Sequence, residues 1–89
     1  MVAQEIKIIN EKGLHARAAA KLVNLASKYQ SRIHLRKDSQ ISNAKSILGI
    51  LILAACKGDV LELNVNGADE EEALVAIINL FNSKFQEEE

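Results

Sequence analysis

Three short segments of this 89-residue chain alternate between apolar and polar side chains, and this alternation restricts its fold more than any other feature. Successive side chains of a strand point to opposite faces, so residues 3–9, 32–36 and 60–65 each have one apolar and one polar face. Residues 40–43 predict a further strand, which would pair with the second after a turn at residues 37–39. Strands with a single apolar face favour an antiparallel sheet that helices cover on one side only.

Two helices are predicted between these strands. Residues 16–28 carry apolar side chains at helical spacing and are rich in good helix formers. The apolar run at residues 47–55 fits either a short buried helix or a strand, because periodicity does not separate the two. We interpret it as a helix, since Ser46 can cap its start, and we expect most of its side chains in the core.

A third helix follows the turn at Asn66 and Gly67. Asp69 and Glu72 predict a capping box at its start, in which each side chain accepts a hydrogen bond from a backbone N–H near the other. One apolar stripe then runs along the helix: Leu74, Ile77, Ile78, Phe81 and Phe85. The predicted order is β-α-β-β-α-β-α.

The predicted fold class is therefore α/β (α+β), an open-faced sandwich of a four-stranded, mostly antiparallel sheet with three helices on one face. A chain of 89 residues predicts one domain, residues 1–89, and the acidic residues 87–89 are expected to be a frayed end. Such a domain is too small to hold a nucleotide-binding unit and a substrate-binding unit together. Any chemistry must therefore rely on a partner molecule.

Composition excludes several functions. The net charge is −1 and 3% of residues are aromatic, so neither a basic patch nor a stacking platform for nucleic acid is expected. Two histidines and one cysteine do not supply a zinc site, no Gly-rich phosphate loop occurs, and we predict neither metal nor cofactor. The lone Cys56 is expected to be a buried free thiol. No apolar run is long enough for membrane insertion and the start does not resemble a signal peptide, so we expect a cytoplasmic protein.

The junction between the first strand and the first helix, "EKGLHARAAA" at residues 11–20, carries the strongest chemical signal. Gly13 frees the backbone there, and His15 precedes a first helical turn whose N–H groups lack partners. Arg17 adds a guanidinium that can bond phosphate oxygens. Helix amides and a cation around a nucleophilic imidazole predict a phosphoryl-accepting histidine, although a lone histidine at a helix start is more often a solvated side chain. His34 is expected to point away from the helices, without a function.

Two motifs and the C-terminal stretch connect the chain to a known family. "GLHAR" at residues 13–17 resembles the active-site signature of HPr, the histidine-containing phosphocarrier of the bacterial phosphotransferase system. "AKSILGILILAACKGD" at residues 44–59 resembles the second signature of the family. "GADEEEALVAIINLFNSKF" at residues 67–85 is similar to the C-terminal helix of family members, especially the nitrogen-branch paralogue NPr. The sugar-uptake and nitrogen branches remain open alternatives.

The resemblance implies a role for each matching residue. His15 would be phosphorylated on Nδ1 by enzyme I, itself charged by phosphoenolpyruvate, and would pass the group to an EIIA domain, while Arg17 steadies it. Ser46 matches a serine that a kinase modifies in some bacteria, although by itself it is only a good N-cap. An apolar docking patch beside His15 would include Ala16, Ala20, Ile47, Leu48 and Leu51.

One departure from the family pattern leaves a second hypothesis. Most members have proline after the arginine, where this chain has Ala18, so some preorganisation of the site is lost. The alternative function is a non-catalytic regulatory module of the nitrogen-type branch that binds partners through the same patch. Under either hypothesis we expect a monomer that is not an enzyme.

Overall fold

The computed structural model describes residues 1–86, and its sheet has four strands. These are β1 (Val2–Lys7), β2 (Arg32–Lys37), β3 (Gln40–Asn43) and β4 (Val60–Asn66). They lie in the order β1-β4-β2-β3, and every neighbouring pair is antiparallel. The four predicted strands are confirmed, whereas the predicted frayed end at residues 87–89 lies outside the described part of the chain.

Three helices cover one face of this sheet. They are α1 (Ala16–Ala26), α2 (Ile47–Ile52) and α3 (Glu70–Asn82), and a short 3₁₀ turn, Lys84–Gln86, follows α3. Helix α1 packs against both α2 and α3, while α3 lies on β1 and β4 and α2 lies on β3. Helix α1 is therefore the middle of the helical layer, and the predicted open-faced fold is confirmed.

The core lies between the helices and the apolar face of the sheet. Strand register places Ile33 opposite Val65 and Leu35 opposite Leu63, so the inward residues of β2 and β4 form adjacent rows. Burying one such side chain contributes about 1.5–3 kcal/mol before the entropy cost of ordering is counted. The largest fully buried side chains are Ile8, Leu22, Ile33, Leu35, Ile50, Leu53, Leu61, Leu63, Val65, Ile77, Phe81 and Phe85.

Helix α2 is shorter and less buried than predicted. It ends at Ile52 rather than at residue 55, and Ala54 just beyond it takes a left-handed conformation with φ of 50°. Within the helix only Ile50 is buried. The expectation that most of this run lies in the core is therefore wrong, because a six-residue helix on the edge of the layer can turn only one side inward.

The predicted capping box of α3 is wrong. Asp69 is the N-cap residue but makes no capping hydrogen bond to its own helix. Its carboxylate instead accepts hydrogen bonds from the backbone N–H groups of Gln30 and Ser31 and from the Ser31 hydroxyl. These bonds lower the pKa of Asp69, with the Ser31 hydroxyl as the main cause. The acidic group that folds back at this helix start is Glu70, which accepts from the Gly67 N–H at 3.3 Å.

Phe85 reaches the core by a different route from the predicted helical stripe. Helix α3 ends at Asn82, and residues 84–86 have positive φ values between 55° and 59°. This left-handed turn brings Phe85 back against Phe81, with ring centroids 4.7 Å apart in an edge-to-face arrangement. Helical spacing indicated that Phe85 is buried, but it did not show the end of the helix.

Cys56 is exposed, so the prediction of a buried thiol is wrong. Because α2 ends four residues earlier, Cys56 lies in the loop to β4, and Asp59 Oδ2 accepts a hydrogen bond from its backbone N–H at 2.8 Å. Within residues 1–86, no helix has the length and apolar character needed to cross a membrane.

Candidate functional site

His15 occupies the N-cap position of α1. Its backbone is extended, with φ of −75° and ψ of 179°, and its carbonyl oxygen accepts the Ala19 N–H at 2.8 Å. The imidazole is half-buried and makes no capping hydrogen bond to the helix. The first turn of α1 contains no acidic residue. An anion at this helix start would therefore meet backbone N–H groups and the positive end of the helix dipole, with no carboxylate of the same turn in competition.

Gly13 is required by the path of the chain into His15. Its φ is 62°, and a Cβ at this position would lie 2.5 Å from the Ala55 carbonyl oxygen and 2.9 Å from the Cys56 Cα. The adjacent Leu14 donates its N–H to that same Ala55 oxygen at 2.9 Å. The site therefore depends on close contact of Gly13 and Leu14 with a loop that is distant in the sequence, which local sequence patterns do not reveal.

Arg17 and Ala18 are the second and third residues of α1. The side chain of Arg17 is exposed, so its guanidinium is accessible to an incoming anion. Ala18 is completely buried. The structure thus places the predicted His15 and Arg17 at the same turn of the helix, and Ala18 within the first turn as well.

Ser46 caps α2 as predicted. Its Oγ accepts the Gly49 N–H at 3.1 Å, and its carbonyl oxygen accepts the Ile50 N–H at 3.0 Å. The cap satisfies one of the N–H groups that a helix start leaves without partners.

The exposed face of α2 is strongly apolar. Ile47, Leu48 and Leu51 are 45%, 68% and 38% exposed, and Ile52, which the sequence analysis did not select, is 55% exposed. On the neighbouring α1, Ala16 is exposed and Ala20 half-buried. Because α1 and α2 pack together, the predicted patch residues belong to two adjacent helices. Clustered exposed apolar side chains are typical of a protein-binding surface.

His34 lies on a different part of the molecule. It is in β2 between the buried Ile33 and Leu35, so it is on the sheet face that the helices do not cover. Its cross-strand neighbours are Asn43 and Asn64. No group of three potential metal ligands occurs among residues 1–86.

Comparison with known proteins identifies the family. The model of the family described as "PTS HPr component phosphorylation site" matches residues 2–83. The chain belongs to the HPr family. HPr proteins are phosphocarriers of the phosphotransferase system, so the resemblance seen in the two motifs is confirmed, and the family name describes a carrier rather than a catalyst.

Individual relatives match over nearly the whole chain. The phosphocarrier protein HPr of Neisseria meningitidis is 47% identical over 89 residues and is covered completely, as is this chain. The phosphocarrier protein NPr of Klebsiella oxytoca is 41% identical over 88 residues, with 98% of each chain covered. Similarity to both types leaves the two branches open.

The fold is also that of solved HPr structures. HPr-C-His from Thermoanaerobacter tengcongensis superposes with a TM-score of 0.96 at 48% identity, covering 100% of both chains. An HPr dimer from the same organism gives a TM-score of 0.79 at 50% identity, covering 92% of this chain and 94% of that one.

Proposed function

We propose that this HPr-family chain accepts a phosphoryl group on His15 from phospho-enzyme I and passes it to an EIIA-type domain. The observation that carries the proposal is the position of His15. It is the N-cap residue of α1, next to the first-turn N–H groups, and that turn contains no carboxylate. The chain is the carrier of the group, and the catalytic machinery for charging it belongs to enzyme I.

In the proposed transfer, the lone pair of the His15 Nδ1 attacks the phosphorus, and the bond between phosphorus and the donor atom of enzyme I breaks. The product is a phosphohistidine with an N–P bond. Its oxygens carry negative charge, which the first-turn N–H groups and the Arg17 guanidinium would stabilise. In the transfer to EIIA, an acceptor group on EIIA attacks the phosphorus and the N–P bond to His15 breaks, which returns the imidazole to its starting state.

The docking surface in this proposal consists of Ala16, Ala20, Ile47, Leu48 and Leu51. Apolar side chains on two packed helices give a partner a contact area that loses its water on binding, beside the His15 imidazole that the partner must approach. Enzyme I and EIIA domains would use the same surface in turn. We propose that the chain does this in the cytoplasm, as one domain and as a monomer, and equilibrium sedimentation tests the last point against the dimer known for a relative.

Ser46 is proposed as a regulatory position as well as a cap. A phosphate on its Oγ would remain at a helix start, where negative charge is favourable, so the fold should persist. It would also stand next to the exposed Ile47 and Leu48, where a partner would have to desolvate it. A Ser46 kinase would therefore switch docking off.

The decisive experiment is incubation with enzyme I and phosphoenolpyruvate. We expect one acid-labile phosphoryl group per chain, transferred onward when an EIIA domain is added. His15→Ala should abolish labelling, and His34→Ala is the matched control that should label normally. Absence of labelling in the unmodified chain would favour the non-catalytic regulatory module, and labelling that survives His15→Ala would refute the assignment of the acceptor.

A further inference from the structure

We propose that Lys37 and Asp59 are positioning residues for His15, because they hold the loop that supports the backbone of Gly13 and Leu14. This inference rests on the proposed role of His15 as the phosphoryl acceptor. Lys37 lies outside both family signatures and ends β2, while Asp59 is the last residue of the second signature and precedes β4.

Lys37, at the end of β2, connects the end of α2 to the residue before β4 through its ammonium group. Its Nζ donates to the Ala54 carbonyl oxygen at 3.1 Å and to the Leu53 carbonyl oxygen at 3.3 Å, just after α2 ends. The same Nζ lies 3.3 Å from Asp59 Oδ2. Carbonyl groups at a helix end lack helical partners and carry partial negative charge, so a cation there is favourable.

Asp59 closes the other end of the loop. Its Oδ2 accepts the Cys56 N–H at 2.8 Å, and its backbone bonds both Cys56 and Ile8. The Cys56 N–H, followed by Lys37, lowers the pKa of this carboxyl, so it is ionised and bonded at neutral pH. Residues 53–59 are thus fixed at both ends by one ion pair and its hydrogen bonds.

The loop needs such support because part of it is strained. Ala54 has φ of 50°, a conformation in which the Cβ of an L-residue is crowded. Without partners for its carbonyl groups, this segment would relax toward other backbone conformations. The bonds from Lys37 to the Leu53 and Ala54 oxygens oppose that relaxation.

The held loop is in direct contact with the residues that lead into His15. The Ala55 carbonyl oxygen accepts the Leu14 N–H at 2.9 Å, and the backbone of Ala55 and Cys56 approaches Gly13 so closely that no Cβ would fit. A shift of residues 54–56 must therefore move Gly13 and Leu14, and with them the imidazole. Transfer of a phosphoryl group is sensitive to such displacements, since a shift of about 1 Å can cost about 100-fold in rate.

The first test measures the loop contact itself by amide hydrogen exchange in Lys37→Met and Asp59→Asn. We expect the Leu14 amide to exchange at least tenfold faster in both, while the Leu63 amide of β4 changes less than twofold. The matched control is Arg36→Met, which breaks the neighbouring pair of Arg36 and Glu62, 3.2 Å apart, without touching the loop. Unchanged Leu14 exchange in Lys37→Met, or the same acceleration in Arg36→Met, would refute the proposal that Lys37 and Asp59 hold this loop.

The second test measures phosphorylation by enzyme I. With Lys37→Met as the substrate of enzyme I, we expect kcat to fall at least fivefold. KM should stay within twofold, because Lys37 lies outside the proposed docking surface. Lys37→Arg should recover most of the rate. Faster Leu14 exchange with unchanged kcat would overturn the positioning role. Failure of the unmodified chain to become phosphorylated would instead refute the proposed function, and Leu14 exchange would still decide whether Lys37 and Asp59 hold the loop.

Discussion

His15 is the N-cap residue of helix α1 and Ser46 is the N-cap residue of helix α2, and both have extended backbones, with φ of −75° and −119°. Only Ser46 turns its side chain onto its own helix, where Oγ accepts the Gly49 N–H. The imidazole of His15 makes no such bond. The two helix starts therefore offer similar backbone geometry but use their side chains for different purposes.

Burial explains why the molecule tolerates this difference. Helix α1 has eleven residues, of which Ala18, Ala19, Leu22 and Ala26 are buried, whereas the six-residue α2 buries only Ile50. Short helices are marginal without packing or caps. Helix α1 is therefore stable without a capping bond from the side chain of its N-cap residue, while α2 depends on its serine.

Exchanging the cap should produce the largest effect. His15→Ser places a good capping residue at the start of α1, so phosphorylation by enzyme I should be lost completely while stability increases by up to about 1 kcal/mol. Calorimetry and a phosphoenolpyruvate-dependent labelling assay measure the two changes. His15→Ala is the control that removes the ring without adding a cap, and an equal melting temperature in both variants would contradict the argument about capping.

Removing the cation of the α1 start should affect rate but not fold. Arg17→Ala should slow transfer from enzyme I by about 100-fold, because charge on the transferred group loses a stabilising partner. The melting temperature should stay unchanged or rise slightly, since a cation in a first turn opposes the helix dipole. Lys28→Ala, beyond the end of α1, is the control, and a large loss of stability in Arg17→Ala would show that the arginine is structural.

A negative charge at the α2 start should have a smaller effect on rate. Ser46→Asp should slow phosphorylation by enzyme I by about tenfold, equivalent to about 1.4 kcal/mol, through repulsion and desolvation at the docking surface. Its melting temperature should be maintained, because aspartate also caps helices. Ser46→Ala should do the reverse, with normal transfer and a loss of about 1 kcal/mol of stability. Normal rates in folded Ser46→Asp would place the docking surface elsewhere.

The start of α3 extends the comparison to acid stability. Asp69 bonds residues 30 and 31 rather than its own helix, and its pKa lies below the ordinary value of 3.8. A carboxyl with a depressed pKa stabilises the fold above pH 3.8, and this contribution is lost as pH falls through the folded value. Melting temperatures of Asp69→Asn should therefore fall less steeply than those of the unmodified chain below pH 4. Parallel curves would show that the contacts of Asp69 do not depend on its charge.

The smallest effect is expected at Ala18, within the first turn of α1. Proline at this position removes an N–H that has no carbonyl partner within the helix, and the N–H groups of Ala16 and Arg17 remain to face the phosphoryl group. Ala18→Pro should therefore change the rate of transfer by less than about twofold. Its side chain is fully buried, so the ring must fit into packed surroundings. Transfer kinetics and a thermal melt check this prediction, and a collapse of stability would show that the packing admits no larger side chain.

Local patterns in the sequence predicted the elements whose partners are close or repetitive. The alternation of β2 and β4 correctly indicated which side chains face the core, and Ser46 was recognised because an N-cap bonds residues only three positions away. His15 and Arg17 were selected in the same way, since glycine, histidine and arginine all occur within residues 13–17, and their roles stay predictions.

Long-range contacts account for what the sequence did not show. The carboxylate of Asp69 was assigned to its own helix, because nothing nearby indicates that Ser31 lies within reach. Ala55 contacts Gly13, and Lys37 bonds the same loop at Ala54. Both contacts join segments that no sequence periodicity relates. These contacts appear only once the fold has brought the segments together.

The exposed thiol of Cys56 makes this chain convenient to study by fluorescence. It is the one cysteine in the sequence, so a maleimide dye would attach at a single known position without prior mutagenesis. That position is in the loop that touches Gly13, two residues before His15. A dye there would report, in real time and on unmutated protein, when a partner approaches the histidine and when it leaves.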